Sequence, residues 1–313
     1  MKKIFLIPIL LFLGFCAKGQ SSVYLFSYFI DNGADGLHLA YSFDGLKWEQ
    51  LNQGKSFLKP MIGKDKLMRD PSICLGADGR FHLVWTTGWW DKSIGYSSSK
   101  NLIQWAEQKA IPVMEEEPDA KNAWAPEVFY DQVDQQYYII WSSTISGRHK
   151  EVNTSASEKG LNHRIYSVTT PDFTIFSKAS LFFNPDFSVI DAAIMKKNNN
   201  EYLMVLKNEN SNPPEKNIRF TVSNDLKQGF PVKVSQPITG NYWAEGPAPL
   251  QIGEYTYVYF DKYRDHRYGA VRSKDGLNWE DVSDQISFPK GVRHGTAFKV
   301  DQSILDHLLK VMK

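Results

Sequence analysis

One short pattern recurs five times along this chain and constrains its fold more than any other feature. It consists of a strand, a Ser or Thr, a turn with Asp, Asn or Gly, and then an aromatic residue. The copies lie at 42–48, 99–105, 170–176, 223–230 and 273–279. A unit repeated at such intervals is typical of folds in which each copy buries its apolar face against the next.

Strands precede each of these turns. Alternation of apolar and other residues predicts aromatic-rich strands at 24–29, 81–86, 137–142, 202–206 and 255–260. Four units open with a further strand that carries an Asp-Pro, Ala-Pro, Asp-Ala or Gly-Pro step, at 69–73, 124–128, 189–194 and 244–249. The N-terminal unit lacks this strand, whereas 293–300 is a strand with no unit after it.

The two incomplete ends complement each other. We therefore predict an all-β, five-bladed β-propeller in which residues 293–300 pair with strands from about 22–50 to close the last blade. Closure removes open sheet edges, which would otherwise promote aggregation. A β-sandwich with coincidental turns is the alternative. The pattern at 304–312 predicts a short amphipathic helix.

The N-terminus has the features of an export signal. Two lysines precede an apolar run of 12 residues, which is too short to span a bilayer, and small residues follow. We expect a signal peptide over 1–19, a single propeller domain over 20–313, no membrane span, and a periplasmic or secreted protein. A lipoprotein anchored through Cys16 is the alternative, although Phe15 stands where such signals place a small residue.

Charge excludes one class of partner and composition favours another. The chain has 36 Lys and Arg against 35 Asp and Glu, a net charge of +1, which gives no basic surface for nucleic acid. Aromatic residues make up 14% of the chain. Exposed aromatic faces suit weakly polar ligands such as sugars.

Four acids and a histidine are expected at comparable positions of the five inner strands: Asp70, Glu127, Asp191, Glu245 and His294. Inner strands line a propeller axis, so these side chains should converge on one funnel. Packing gives no reason to collect acids, because they repel one another and resist desolvation. Paired carboxyls across a cleft are the requirement of glycoside hydrolysis. For each acid alone, a strand end satisfied by backbone amides is the alternative.

The motifs Arg-Asp-Pro-Ser, Trp-Ala-Pro-Glu, Ile-Asp-Ala, Ala-Glu-Gly-Pro and Arg-His-Gly-Thr, in this order, resemble glycoside hydrolase family 43 over the whole mature chain. The resemblance implies that Asp70 is the general base, Glu245 the general acid and Asp191 the pKa modulator, in a reaction that inverts the anomeric configuration. The family often has Trp-Ala-Pro-Asp where this chain has Glu127. We therefore treat Glu127 as a substrate-contact or structural hypothesis only.

Further substrate-binding residues are expected beside the inner strands. Trp89 and Trp90 follow a strand and are candidate platforms for a sugar ring, and Trp124 and Trp243 adjoin the carboxyls. For a tryptophan, burial in a blade core is the alternative.

The closing segment contributes two more candidates. Arg293 could bind a sugar hydroxyl or hold a catalytic carboxylate, with a surface ion pair as the alternative. His294 resembles the family's closing-blade histidine, which lies near a central ion or water. No Cys or His cluster has metal-ligand spacing, so we expect no metal ligands and no required cofactor, with a structural calcium or other ion near His294 as a weaker expectation.

The expected substrate is an oligo- or polysaccharide. We expect an exo-acting enzyme on plant-type side chains, because loops at Trp89-Trp90 and at 144–162 could wall the funnel into a pocket. The resemblance favours an α-L-arabinofuranosidase, with a β-galactofuranosidase or β-xylosidase as alternatives. A retaining fructan-type hydrolase and a non-catalytic sugar-binding propeller are the two other hypotheses.

Overall fold

The computed structural model describes residues 22–150, 160–197 and 201–311. The predicted signal peptide and Cys16 lie outside the described residues. The strands are β1 (Ser22–Tyr28), β2 (His38–Ser42), β3 (Glu49–Gln50), β4 (Arg69–Leu75), β5 (Phe81–Thr86), β6 (Ile94–Ser99), β7 (Lys109–Ile111), β8 (Trp124–Asp131), β9 (Gln136–Ser143), β10 (Arg164–Thr170), β11 (Ser180–Phe183), β12 (Val189–Lys196), β13 (Tyr202–Asn208), β14 (Asn217–Ser223), β15 (Glu245–Ile252), β16 (Tyr255–Lys262), β17 (Arg267–Ser273), β18 (Glu280–Asp281) and β19 (Ala297–Asp301), and the helix is α1 (Gln302–Val311).

These strands form five antiparallel sheets, each a blade of the propeller. The strand orders are β4-β5-β6-β7, β8-β9-β10-β11, β12-β13-β14, β15-β16-β17-β18 and β19-β1-β2-β3. The first strand in each order is the inner strand of its blade. The predicted five-bladed β-propeller is confirmed, including the blade shared between the two ends of the chain.

Strand β19 closes the ring by pairing with β1. Their antiparallel register runs from Ser22 opposite Asp301 to Phe26 opposite Ala297. The strand predicted over 293–300 is shorter than expected, because residues 293–296 form no regular ladder. A Cβ atom on Gly295 would lie 1.7 Å from the carbonyl oxygen of Ser27, so the two backbones meet too closely there for any larger residue.

The recurring turn has a local physical cause. In its first copy the Ser42 hydroxyl accepts a hydrogen bond from the Gly45 amide at 2.8 Å, and the Asp44 carboxylate accepts from the Leu46 and Lys47 amides at 2.7 and 2.9 Å. Equivalent bonds form in the other copies, for example from the Asn278 amide to the Asp275 carboxylate at 2.8 Å. Side-chain oxygens thus satisfy the backbone donors that each turn leaves without ladder partners.

The predicted C-terminal helix is confirmed as α1. Its buried residues Leu305 and Leu308 pack into a core cluster with residues of β1, β4 and β5. The helix therefore covers the seam between the closing blade and the blade that follows it. Within the described part of the chain, no helix has the length and apolar character needed to cross a membrane.

Candidate active site

Four inner strands carry the same distortion near their first residues. The registers of β4, β8, β12 and β15 with the next strand each shift by an extra residue. The left-handed residues inside these bulges are Asp70, Ala125, Asp191 and Gly246, with φ of 52°, 46°, 55° and 58°. This conformation costs a non-glycine residue about 1–3 kcal/mol, and such strain clusters at functional sites.

The bulges correct one prediction. Asp70 and Asp191 occupy equivalent positions, as expected. Glu245 precedes the left-handed residue of its strand by one position, and Glu127 follows that of its strand by two. The four acids are therefore not at comparable positions, because the bulge directs neighbouring side chains to different places.

A cavity of about 410 Å³ opens at these strand ends. Its lining contains the three carboxyls predicted as catalytic, those of Asp70, Asp191 and Glu245, from three different blades. The remaining lining residues are Asp31, Asn32, Arg69, Thr86, Trp89, Trp124, Ala125, Ile190, Lys207, Glu209, Arg293 and His294. The three acids predicted from the sequence thus share one pocket.

Asp70 is held as an ionised carboxylate. Its Oδ2 accepts a hydrogen bond from the Thr86 hydroxyl at 2.8 Å, and its Oδ1 lies 3.4 Å from Nδ1 of His294. Burial alone raises the pKa of Asp70, but the hydrogen bond and charge of His294, aided by Arg69 and Thr86, lower that pKa to about 2. An ionised carboxylate of this kind can accept a proton from a water molecule.

His294 joins two of the acids. Its Nδ1 lies 3.4 Å from Asp70 and 3.9 Å from Asp191. Burial opposes the charged ring, yet the carboxylates of Asp191, Asp70 and Glu245 raise the pKa of His294 to about 9. The ring therefore carries a positive charge at neutral pH and compensates the two buried acids.

Asp191 is the most deeply buried of the three carboxyls predicted as catalytic. Its Oδ2 accepts a hydrogen bond from the Gly246 amide at 3.0 Å, which links it to the strand that carries Glu245. Burial raises the pKa of Asp191 to about 6, against the lowering effect of His294 and Lys207. Asp191 can therefore change its charge near pH 6 and so alter the electric field at its neighbours.

Glu245 has two cationic partners. Lys207 approaches its Oε2 at 3.1 Å, and Arg293 donates to its Oε1 at 3.0 Å. The side chain is 23% exposed, more than Asp70 or Asp191. Glu245 is thus the most accessible of the three predicted acids, and each of its oxygens has a cationic partner.

An aromatic and polar wall faces these acids. The Trp124 indole donates to the carbonyl of Trp89 at 2.7 Å, and the Arg69 guanidinium lies 4.3 Å from the Trp89 ring centroid. Arg69 also donates to Asn32 at 2.8 Å. Trp89 is 40% exposed while Arg69 covers one face of its ring, so a ligand in the pocket can contact only the remaining surface of the ring.

Three predicted contact residues lie outside the pocket lining. Trp90 packs 5.9 Å from the Trp124 ring, and Trp243 stacks on Arg264, whose guanidinium lies 3.2 Å from its centroid. Glu127 is buried and accepts from the Thr296 hydroxyl at 3.1 Å, and burial raises its pKa to about 7. The structure therefore places Glu127 beneath the pocket, in a contact between an inner strand and the closing segment.

Sequence reasoning missed several pocket residues, of which Lys207 and Glu209 matter most. Lys207 is buried and ends an aromatic-rich strand, where a lysine gives no signal beyond a solvated strand end. Asp261, which pairs with Arg293, stands at the equivalent place in the next blade. Lys207 and Asp261 share one position near the end of the second strand of their blades. That shared position was the one sequence signal that could have identified these charged residues.

The expected ion near His294 has little support in the arrangement of its surroundings. Among the residues that the structure describes, no three His, Cys, Asp or Glu side chains are grouped to hold a metal ion. A histidine that is protonated at neutral pH also repels a neighbouring cation. The described residues around His294 therefore do not form a site that fits a metal ion. The ion expected from the sequence stays an untested prediction.

Comparison with known proteins adds a family. A family model described as a probable glycosyl hydrolase domain, related to glycoside hydrolase family 43, matches residues 20–306. No curated protein matches the chain in sequence.

Solved structures share the fold at low sequence identity. An α-L-arabinofuranosidase from Lactobacillus brevis is 16% identical over 68% of this chain and 72% of its own, with a TM-score of 0.53. A xylan β-1,4-xylosidase from Bacillus halodurans is 17% identical over 71% of this chain and 42% of its own, with a TM-score of 0.51. A family 43 β-1,3-galactosidase with bound galactodeoxynojirimycin is 12% identical over 72% of this chain and 79% of its own, with a TM-score of 0.55.

Proposed function

Because the chain belongs to the family of probable glycosyl hydrolase domains related to glycoside hydrolase family 43, we propose that it is an inverting, exo-acting glycoside hydrolase with its active site in the carboxyl-lined pocket. The observation that carries this proposal is the meeting of Asp70, Asp191 and Glu245 from three blades in one cavity. The likeness to solved structures contributes the fold, and the family contributes the class of reaction.

We propose that Asp70 is the general base. It takes a proton from a water molecule as that water attacks the anomeric carbon, and its ionised state in the pocket suits this task. Glu245 is the general acid, which protonates the glycosidic oxygen as the bond from that oxygen to the anomeric carbon breaks. The product is a free sugar of inverted configuration and an alcohol.

Asp191 is proposed as the modulator of Glu245. It bonds to the amide of Gly246, the residue after Glu245, and its charge varies in the pH range where the acid must hold a proton. An ionised Asp191 repels a second negative charge nearby and so favours the protonated form of the general acid.

We propose α-L-arabinofuranosides at the ends of plant-type polysaccharide side chains as substrates, ahead of β-galactofuranosides and β-xylosides. The pocket of about 410 Å³, with Trp89 in its lining, supports an exo mode, because it has room for a terminal sugar. The similar solved structures are those of an arabinofuranosidase, a xylosidase and a galactosidase, and these three activities define the panel of aryl furanosides and pyranosides to assay.

The test combines Glu245→Gln with the stereochemistry of the reaction. NMR of the first product should show inversion, and Glu245→Gln should lose far more activity on substrates with a poor leaving group than on an activated aryl glycoside. A retained configuration would favour the fructan-type hypothesis. Sugar binding without turnover on any member of the panel would favour the non-catalytic propeller.

We also propose that the protein is exported after cleavage of residues 1–19. N-terminal sequencing of the mature protein from its native host, with fatty-acid labelling, separates this proposal from a lipoprotein. A labelled protein that begins at Cys16 would establish the lipoprotein instead.

A further inference from the structure

Glu245 lies inside a row of six charged side chains whose signs alternate, which we call the alternating charge chain. It runs through Lys216, Glu209, Lys207, Glu245, Arg293 and Asp261. Each cation beside Glu245 therefore has a second carboxylate on its far side. Neither Glu209 nor Asp261 has been given a role in the proposed reaction.

Both cations lie nearer to the second carboxylate than to Glu245. Nζ of Lys207 is 2.7 Å from Glu209 and 3.1 Å from Glu245. Arg293 is 2.5 Å from Asp261 through Nε and 3.0 Å from Glu245 through a terminal nitrogen. The positive charge that faces Glu245 is thus shared with an acid outside the reaction.

Strand geometry fixes this arrangement. Glu245 and Asp261 are directly opposite each other in the register of β15 and β16, where two like charges destabilise the sheet unless a cation bridges them. Lys207 is the last residue but one of β13 and Glu209 follows the end of that strand, and their charged groups lie 2.7 Å apart. Glu209 is fixed further by Lys216, whose Nζ lies 2.6 Å from its Oε1.

We propose that Glu209 and Asp261 are positioning residues that engage Lys207 and Arg293 from the far side, so that Glu245 keeps the proton it must donate. This inference rests on the proposed role of Glu245 as general acid. Without the two outer carboxylates, two uncompensated cations at 3.0–3.1 Å would hold Glu245 as a carboxylate. A carboxylate cannot protonate the leaving oxygen.

Both outer carboxylates carry charge at neutral pH. Burial opposes ionisation of Glu209, but the charges of Lys207 and Lys216 lower its pKa. Burial raises the pKa of Asp261 to about 6, with Arg293 opposing the rise. Both side chains are therefore available as counter-charges at neutral pH and above.

Other titratable groups also act on Glu245, and the test leaves them in place. Besides the members of the alternating charge chain, the groups that interact with Glu245 are Asp191 on β12, Tyr268 on β17 and His294 on the closing segment, whereas Tyr263 after β16 acts on Lys207 and Asp70 on β4 lines the same pocket. Their effect on the protonation of Glu245 is common to the wild type and to every variant below. Differences between variants therefore report the effect of the alternating charge chain.

The experiment is the pH dependence of kcat/KM on the aryl glycoside that the wild type hydrolyses best. The alkaline limb should report loss of the proton from the general acid in the free enzyme. In Glu209→Gln and in Asp261→Asn we expect this limb to move to lower pH by about one unit, since one cation then acts on Glu245 alone. Lys207→Met should move the limb the other way, and Glu209→Gln combined with Lys207→Met should bring it back towards the wild-type position.

Asp131→Asn is the matched control. Asp131 is a buried carboxylate that accepts from the Tyr202 hydroxyl at 2.7 Å and lies 3.9 Å from Lys196, outside the pocket lining. Its alkaline limb should coincide with that of the wild type. The folded fraction of each variant is measured by circular dichroism at every pH, and rates are expressed per folded enzyme, so that loss of stability at high pH does not imitate a shifted limb.

The outcomes separate this inference from the proposed function. If Glu245→Gln shows the leaving-group dependence of a general-acid variant while the limbs of Glu209→Gln, Asp261→Asn and Lys207→Met all match the wild type, the inference is wrong and the function stands. If Glu245→Gln hydrolyses poor leaving groups at the wild-type rate, the function itself fails. Should either outer variant not fold, the remaining one and Lys207→Met decide, because they act through different residues.

Discussion

Nδ1 of His294 lies 3.4 Å from Oδ1 of Asp70, and this contact joins the closing segment of the propeller to β4, the inner strand of the neighbouring blade. The pair connects the closure of the fold with the ionisation of the proposed base. Its strength depends on the charge of the ring, so pH should act on stability through it.

Stability should fall as pH rises from neutrality. The pKa of His294 is raised in the folded state to about 9 from 6.5, so its stabilisation is complete below about pH 6.5 and is lost as pH rises through 9. The loss is on the order of 3 kcal/mol. Urea unfolding between pH 6 and 10 should show this slope in the wild type and a much smaller one in His294→Gln. His38→Gln, which removes another buried histidine bonded to an aspartate, should keep the slope; a flat wild-type profile would contradict the charged ring.

Asp70→Asn should lower kcat on good and poor leaving groups alike. Water must be activated whatever the leaving group, so the loss should be on the order of 10²- to 10⁴-fold throughout the panel. Steady-state rates on the aryl glycosides measure it. Asp78→Asn is the control, because this acid bonds His82 at 3.1 Å away from the pocket. Equal activity of both variants would remove Asp70 from the reaction.

Trp89→Ala should raise KM roughly tenfold with a smaller change in kcat, because an aromatic face in the pocket contributes on the order of 1 kcal/mol to sugar binding. Trp90→Ala is the matched comparison: its ring is 56% exposed but is not among the residues that line the pocket. Its KM should change less. The reverse order of effects would show that the sugar lies on the other tryptophan.

Leu308→Ala should destabilise the protein by about 2–5 kcal/mol, since Leu308 is fully buried where α1 covers the closure seam. Leu309→Ala, one residue further along the same helix, removes a side chain that is 37% exposed and should cost much less. Chemical denaturation of both variants gives the comparison. Similar losses would mean that α1 packs by a different face.

Local patterns in the sequence were sufficient to predict most of the fold. The Ser-Asp turns, the aromatic strands and the mismatched ends predicted five blades and their closure, because turn chemistry and side-chain alternation act over a few residues. The Asp-Pro, Ala-Pro, Asp-Ala and Gly-Pro steps even mark the four bulges, since their first residues are the left-handed Asp70, Ala125, Asp191 and Gly246. When the four inner strands are aligned on these dipeptides, Glu127 and Glu245 fall at different positions.

The sequence by itself determined the propeller, the family resemblance and the three carboxyls that meet in the pocket. Only the tertiary structure decided which charges surround them, because Lys207, Glu209 and Asp261 acquire their significance from contacts between blades rather than from any local pattern. The bulges decided that Asp70 faces the pocket while Glu127 lies beneath it, since an extra residue in a strand redirects every side chain near it. The pKa values of these groups depend on the distances between charges and on burial, and both are set only when the five blades pack into a closed ring.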